Sequence, residues 1–359
     1  SVSDTKRIVI LGKTGAGKSS LANTIFGEEL FMIGDSANSE TNKCQAKTRS
    51  VNGRSITLID TPGLFDTDRP EEELKAEIVR CITECSPGPH AFLIVLKVER
   101  YTEQEEAVIN KIKEYFSEEV FKYATVLFTH GDQLKGQTII DFVQKNKSLS
   151  DLVEKCGGRC HVIDNKYWKN DQQDEYRSNK FQVEELLKTI DEITEANRGG
   201  CYTNEMLQAA EEMIQQEEER IRESSPNMSE EEIRGQARLN TSRLIKILIR
   251  LAGITTGALL GALFGVGVSV VVVAAVAAAA GAVTGGVKGY HAAEDAETVK
   301  EGAEKAAKAV LDGAKSVLDQ MLQNALNYLK CLVLQQLELT QHGTRAQHRQ
   351  VMMEVPSGN

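Results

Sequence analysis

Positive charge is in short supply in this chain of 359 residues. Its 42 lysines and arginines are outnumbered by 52 aspartates and glutamates, which gives a formal net charge of −10 at pH 7. Proteins that bind nucleic acids carry an excess of positive charge to meet the phosphate backbone. We therefore expect no nucleic acid as a main partner.

Cysteines are few as well, and their spacing is not that of a metal site. None of the seven forms a C-x-x-C pair, whereas structural zinc sites place two ligand pairs at tighter spacing. The odd number favours reduced thiols in an intracellular protein. Residues 1–7 lack an apolar core, so they predict no secretory signal.

A phosphate loop lies near the N-terminus of the chain. Residues 10–20 read ILGKTGAGKSS, which fully matches the pattern G-x-x-x-x-G-K-[ST] from Gly12 to Ser19. A loop of this kind binds the phosphates of a nucleoside triphosphate. The loop alone identifies neither the base nor the purpose of the binding.

The region from residue 1 to about 200 alternates short apolar runs with longer amphipathic stretches, the βαβ pattern of a mostly parallel sheet. Two β-rich runs flank Asn52-Gly53, which is the favoured turn of an antiparallel hairpin. The sequence therefore predicts an α/β fold, a phosphate-loop three-layer sandwich with one antiparallel hairpin, followed by a helical C-terminal region. Further strands are predicted at residues 7–11, 91–98, 124–130 and 160–164, and a helix at 103–116.

The hairpin ends in the residues Asp60-Thr61-Pro62-Gly63. In phosphate-loop proteins an acid at this strand end reaches Mg²⁺, usually through water, and the glycine can offer its backbone N–H to a γ-phosphate. We therefore assign Asp60 to the metal site and Gly63 to the nucleotide site. An ordinary turn is the alternative.

The identity of the base is indicated by Thr129-His130-Gly131-Asp132, which ends the strand at 124–130. The Asp132 carboxylate can accept two hydrogen bonds from guanine, and adenine lacks that pair of donors. His130 is expected to pack on the purine ring. Asp164 and Asn165 end the next strand, near where a contact with guanine O6 would lie, and Asn165 is the residue that we assign to the nucleotide site. These residues disfavour an ATPase or a nucleotide kinase.

Together these segments resemble the immunity-associated GTPase family, also called the immunity-associated nucleotide-binding proteins. The resemblance covers residues 6 to about 200 and is carried by GKTGAGKSS, DTPGLFD, SPGPHAFLIVLKVERYTEQEE and FTHGD. The stretch from Pro87 to Glu106 is a box particular to that family. The resemblance implies an AIG-type G domain that binds GTP or GDP with Mg²⁺.

The resemblance also implies roles for single residues. Lys18 would neutralise the β- and γ-phosphates, and Ser19 would be a ligand of Mg²⁺. Thr41 is our choice for the threonine that completes the Mg²⁺ shell, with a solvated loop threonine as the alternative. The residues assigned to the phosphates are Gly12, Lys13, Thr14, Gly15, Ala16, Gly17, Lys18, Ser19 and Ser20.

Leu64 stands where Ras-like proteins have a glutamine that orients the attacking water, so slow intrinsic hydrolysis is expected. The resemblance implies a nucleotide-dependent dimer across the GTP faces, in which Arg100 acts on the partner's nucleotide. An arginine finger contributes a factor of about 10³ to 10⁵ in rate. A surface arginine paired with Glu103 or Glu105 is the alternative.

Residues 251–287 contain no charged side chain and carry glycines four residues apart. This spacing is typical of packed membrane helices, and a bilayer core needs about 20 residues of helix. We therefore predict that 251–289 enters an intracellular membrane as a helical hairpin broken near Gly265. The alternative is a buried soluble hairpin packed against an amphipathic helix at 290–340.

The sequence thus predicts a G domain at 1–203, a charged helical extension at 204–250 with Ser229 as a helix cap, the hydrophobic segment, the amphipathic helix and a tail at 341–359. We expect a GTP switch that forms homodimers or oligomers on the cytosolic face of an intracellular membrane. The competing interpretation is a GTP-bound oligomeric scaffold with negligible turnover and no membrane insertion.

Overall fold

The computed structural model describes residues 5–33, 43–61, 63–65, 70–99, 102–168, 174–251 and 254–265. All of these belong to the first of two compact units, which comprises residues 1–276. Thr41, Arg100, the segment 290–340 and the tail 341–359 lie outside the described residues. Their predicted roles stay predictions.

Six strands of the described chain form one sheet in the order β2-β3-β1-β4-β5-β6. Asn52 and Gly53 join β2 to β3 with φ of 49° and 77°, as a type I′ turn requires. That pair is antiparallel and the other pairs are parallel, so the predicted fold class is confirmed. The strands are β1 (Lys6–Leu11), β2 (Gln45–Val51), β3 (Arg54–Asp60), β4 (Ala91–Lys97), β5 (Ala124–Thr129) and β6 (Cys160–Val162).

Helices flank this sheet on both faces. The inner strands β4 and β5 read as continuous apolar runs because they are buried on both sides. The helices are α1 (Lys18–Phe26), α2 (Glu71–Cys85), α3 (Glu103–Tyr115), α4 (Glu118–Lys122), α5 (Ile139–Gln144), α6 (Lys147–Lys155), α7 (Asn179–Ala196), α8 (Glu205–Ser224), α9 (Glu230–Leu251) and α10 (Thr256–Phe264).

Successive side chains of β4 point to opposite faces of the sheet and enter different parts of the core. Leu93 faces the cluster that contains Leu21 of α1 and Leu186 of α7. Phe92 points the other way and its ring lies 6.0 Å from Phe116. The strand alternation therefore places α1 and α7 on one face and an aromatic cluster on the other.

The charged extension forms the α8–α9 hairpin, which packs on α2. Ser229 caps α9: its hydroxyl accepts the N–H of Glu232 at 3.3 Å, and the Glu232 carboxylate accepts the N–H of Ser229 at 2.9 Å. This capping box confirms the predicted helix start. Helices α8 and α9 follow the predicted boundary at residue 204 and pack on α2, which precedes it. The boundary of the G domain stays a prediction.

The first part of the predicted membrane segment is the buried helix α10. Phe264 is fully buried, with its ring 4.5 Å from Phe116 and 6.0 Å from Phe65. The helix ends at Gly265 in the left-handed region, φ 79°, near the predicted break. Among the helices of the described residues, none combines the length and hydropathy of a bilayer span.

Candidate functional site

The phosphate loop connects β1 to α1 at the carboxyl edge of the sheet. Gly12 passes so close to β4 that a Cβ there would lie 2.6 Å from the Val95 carbonyl oxygen. Gly17 caps α1 and accepts the N–H of Leu21 at 2.8 Å. The loop therefore directs the N–H groups of the first helical turn toward a site suited to an anion.

Two lysines of the loop take different positions. Lys18 is buried and its ammonium donates to the carbonyls of Gly12 and Lys13, at 3.0 and 2.8 Å. Lys13 forms an ion pair with the nearly buried Glu105 and lies 3.7 Å from Glu99. Lys18 is thus held against the phosphate loop, while Lys13 connects that loop to the start of α3.

Ser19 and Asp60, two of the residues predicted to bind the metal, contact each other. The Ser19 hydroxyl donates to Oδ2 of Asp60 at 2.6 Å, and Asp60 is fully buried. Oδ1 of Asp60 is buried and has no hydrogen-bond partner among the described residues. Burial raises the pKa of Asp60, against the lowering effects of the Ser19 hydrogen bond and the Lys18 charge. A hydroxyl and a carboxylate with an unpaired oxygen suit Mg²⁺, which prefers oxygen ligands.

The residues before and after Pro62 contact the core of the protein. The Thr61 hydroxyl donates to the Ile10 carbonyl at 2.7 Å. Leu64 and Phe65 are each 1% exposed, and Lys111 donates to the Phe65 carbonyl at 3.0 Å. Gly63 is therefore held between a strand end and an apolar anchor, and Leu64 points into the protein.

The predicted base-reading residues follow β5. The Thr129 hydroxyl donates to the Ala16 carbonyl at 2.9 Å, which ties this strand end to the phosphate loop. His130 is exposed and has a φ of 61°. The ring of Trp168 packs on Gly131, where a Cβ would lie 2.6 Å from the indole. A residue with a side chain at position 131 would therefore clash with the indole, which packs on the sequence neighbour of Asp132 only because residue 131 is glycine.

Asp164 joins the two loops that carry the residues predicted to contact the base. Its carboxylate accepts the backbone N–H groups of Asp132 at 3.1 Å, of Lys166 at 2.9 Å and of Tyr167. Burial acts to raise the pKa of Asp164, but these hydrogen bonds outweigh it and lower the pKa. Burial and then the contact with Asp164 raise the pKa of Asp132.

Asn165, on the loop that follows β6, contacts α1 and the phosphate loop. Its Oδ1 accepts the Thr24 hydroxyl at 3.1 Å, and its Nδ2 donates to the Gly17 carbonyl at 3.4 Å. The side chain thus contacts α1 and its cap. The predicted contact of Asn165 with guanine stays a prediction.

The structure brings together the predicted phosphate, metal and base residues within the described part of the chain. The sequence placed Asp164 near guanine O6 but did not predict that it holds both loops by their backbone N–H groups. It named Glu105 only as an alternative partner of Arg100, whereas the structure pairs Glu105 with Lys13, and it assigned Trp168 no role. Trp168 is the sole tryptophan of the chain and follows a strand end, which is the signal that could have identified it. Thr41 and Arg100 lie outside the described residues, so their predicted roles are untested.

Comparison with known proteins gives a match to a family model described as the AIG1 family, over residues 6–223. Immune-associated nucleotide-binding protein 4 of Arabidopsis thaliana is 36% identical over 207 residues, which are 56% of this chain and 62% of the relative. GTPase IMAP family member 8 of Mus musculus is 33% identical over 190 residues, 52% of this chain and 28% of the relative. The chain therefore spans less than two thirds of each of these relatives.

Among solved structures, the chain is similar to Toc33 from Arabidopsis thaliana in complex with GDP and Mg²⁺. The identity is 20%, the TM-score is 0.42, and the match covers 56% of this chain and 88% of that one.

Proposed function

Because the chain belongs to the AIG1 family, we propose that it is a GTPase that binds GTP and GDP with Mg²⁺. The observation that carries this proposal is the contact between Ser19 and the buried Asp60, beside the amine of Lys18 at the N-terminus of α1. When bound, Mg²⁺ supplies charge neutralisation at the β- and γ-phosphate oxygens. Ser19 would be its direct ligand, and Asp60 would hold it directly or through water.

The remaining roles belong to the loops around this centre. Lys18 exchanges its carbonyl contacts for phosphate oxygens, and the N–H groups from Gly12 to Ser20 bind the phosphates. Asp132 accepts hydrogen bonds from the guanine, His130 covers one face of the purine, and Asn165 contacts the base near O6. Asp164 keeps these groups in place because it holds both loops by their backbone N–H groups.

Guanine selectivity tests the proposal. Asp132→Asn should weaken GDP and GTP and favour xanthosine diphosphate and triphosphate, because the amide can donate to the xanthine oxygen. Asp141→Asn, in the exposed capping box of α5, is the matched control and should leave selectivity unchanged. Equal guanine selectivity in the Asp132→Asn variant would refute the assignment of the base.

We further propose that GTP acts as a switch for dimerisation through the G domain. Thr41 and Gly63 would hold the γ-phosphate and metal in the GTP state, and hydrolysis would release them. Intrinsic turnover should be slow because Leu64 is buried and carries no group that orients water. Arg100 of one protomer would then stabilise the transition state at the nucleotide of its partner.

Turnover per molecule of the full chain, followed against protein concentration, tests the dimer. A self-activating dimer gives a steep rise with concentration, and Arg100→Ala should abolish it. Arg198→Ala, an exposed arginine after α7, is the control for loss of one positive charge. A rate that does not depend on concentration would argue against catalysis across a dimer.

The buried Leu64 favours a second candidate, a GTP-bound oligomeric scaffold with negligible turnover. The two candidates differ in single-turnover experiments. A near-zero rate at every protein concentration, together with oligomers that persist in GTP, would select the scaffold.

Membrane association on the cytosolic face of an intracellular membrane completes the proposal. Since residues 254–265 include the buried helix α10, the contact with the bilayer core would fall to the remainder of the segment 251–289. The absence of charge from 251 to 287 supports this partner. Cosedimentation of the full chain with lipid vesicles is the direct measurement.

A further inference from the structure

A long stretch of this acidic protein has the opposite sign of charge. Between Glu232 and Glu294 there are six basic residues and no acidic residue, although the net charge of the chain is −10. Five of the six lie on α9, and the uncharged run begins at the end of that helix. This local excess of positive charge therefore needs a structural explanation.

Packing accounts for two of these basic residues. Arg234 lies 2.7 Å from a carboxylate oxygen of Glu211 and 2.8 Å from one of Glu218, both on α8. Arg238 lies 3.3 Å from Glu84 of α2. These two arginines hold α9 against its neighbours.

The other three basic residues of α9 have no such role. In the described part of the chain, neither Arg243 nor Lys246 lies within 4.0 Å of a carboxylate oxygen. Arg250 is 3.8 Å from Glu72, but their side chains are 80% and 63% exposed. An exposed pair at that distance contributes little to stability, so all three charges are available to a partner.

Two exposed aliphatic side chains lie on the same side of the helix. Leu239 is 41% exposed and Ile247 is 57% exposed. Residues 239, 243, 247 and 250 follow each other at spacings of four, four and three, so they share one face of α9. We call Leu239, Arg243, Lys246, Ile247 and Arg250 the α9 outer face.

The surroundings of the α9 outer face add positive charge. The pKa of Lys246 is lowered by burial first and then by the charges of Arg80 and Lys43. Glu77 is the acid that faces this group, and it is nearly buried and accepts the N–H of Cys44 at 2.7 Å. The complementary partner is therefore an anion.

We propose that the α9 outer face binds the anionic headgroups of a phospholipid bilayer, with Leu239 and Ile247 entering the interface. A basic face that also exposes aliphatic side chains is typical of helices that lie on anionic membranes. In the sequence, this face directly precedes the uncharged run that starts at Leu251, the later part of which is proposed to contact the bilayer core. The inference rests on the membrane association proposed above and names the surface and lipid that it uses.

Cosedimentation of the full chain with phosphatidylcholine vesicles, with and without phosphatidylserine, tests this surface. We expect Arg243→Gln combined with Arg250→Gln to lower the affinity for phosphatidylserine vesicles by roughly 25-fold, at about fivefold for each basic residue. Lys180→Gln combined with Arg198→Gln is the control: it removes the same charge from exposed positions on and after α7.

A second pair of variants tests the aliphatic part. Ile247→Ser should lower the affinity by about fivefold because less apolar surface is buried. Ile140→Ser, which alters an isoleucine that is 45% exposed on α5, should have no effect. These side chains are exposed, so GDP binding and thermal unfolding should stay at the wild-type values in all four variants.

Three outcomes separate the proposals. Binding that needs phosphatidylserine and is lost in the α9 variants alone supports the inference. Equal binding to both kinds of vesicle by every variant overturns the inference but keeps the membrane association. Lack of binding to either kind of vesicle overturns both the inference and the membrane association. This is the result expected if another part of the chain or a protein partner covers the α9 outer face.

Discussion

The carboxylate of Asp60 is costly to the protein when no metal is bound, since one of its oxygens is buried without a partner. Its pKa is raised, so the stability associated with the neutral form is lost as the pH rises from the ordinary value of 3.8 through the folded-state pKa. We therefore expect Asp60→Asn to stabilise the metal-free and nucleotide-free protein by about 1 kcal/mol at neutral pH. Thermal unfolding in a chelating buffer measures this.

The same variant should lose the stabilisation that Mg²⁺ gives to the nucleotide complex. Asp191→Asn is the control with the opposite expectation: its carboxylate pairs with Lys6 and Arg54, and these pairs lower its pKa against the effect of burial. That substitution should destabilise the protein at neutral pH. A lower melting temperature for metal-free Asp60→Asn would contradict our account of the buried oxygen.

Asp164 should matter for guanine binding because of the backbone N–H groups that its carboxylate accepts. Asp164→Ala leaves three backbone N–H groups without their acceptor, so we expect a loss of about 2 kcal/mol or more in stability. The loop that carries Asp132 also loses its anchor, so release of a fluorescent GDP should become faster by about tenfold or more. Stopped-flow release and thermal unfolding are the measurements.

The direction of the pH dependence follows from the lowered pKa of Asp164. Its contribution is fully present above the ordinary pKa of an aspartate, 3.8, and is lost as the pH falls through the folded-state value. Asp164→Ala should therefore cost less stability in strong acid than at neutral pH. Asp141→Ala, in the exposed capping box of α5, is the control and should leave GDP release unchanged.

Helix α10 connects the uncharged segment to the loop that follows Gly63. Phe264 contacts Phe65, and the Asn204 side chain donates to the carbonyls of Ala262 and Leu263 at 2.9 and 3.1 Å. Phe264→Ala would leave a cavity in the aromatic cluster, so we expect a loss of about 3–5 kcal/mol. Denaturant unfolding of the full chain measures this.

Thr256→Ala is the matched control for the same helix. Its hydroxyl lies on the exposed side and makes one long contact to Glu71, 3.3 Å, so the change should be within about 0.5 kcal/mol. A small effect of Phe264→Ala would mean that α10 contributes little to the stability of the cluster.

Patterns with a local cause were the ones that the sequence predicted well. Asn52-Gly53 fixes a hairpin because few other dipeptides accept two positive φ angles, and Ser229 with Glu232 forms a capping box within one turn. The placement of α10 depends on distant partners, since an uncharged run suits a protein core and a bilayer equally well. The loop-holding role of Asp164 and the packing of Trp168 on Gly131 were missed for the same reason: the fold brings their partners to them.

At the scale of the whole molecule, the packing of α8, α9 and α10 determines which residues unfold together with the G domain. A chain that ends after residue 265 keeps these helices, and we expect it to bind GDP and to unfold cooperatively, as we also expect of the full chain. A chain that ends after residue 203 loses Phe264, whose ring packs against Phe65, Phe92 and Phe116, so we expect these three rings to become more exposed. It should bind a hydrophobic dye and lose several kcal/mol, because each of these large apolar side chains loses about 1.5–3 kcal/mol when its burial is removed completely.

Thermal unfolding, dye fluorescence and GDP retention of the two shortened chains measure this difference. A chain that ends after residue 251 lacks α10 alone and should fall between the other two. Equal melting temperatures for the chains ending at 203 and 265 would show that the helices rest on the G domain without stabilising it. In that case nucleotide turnover could be assigned to residues 1–203 alone, whereas the expected order requires it to be measured on a chain that includes α10.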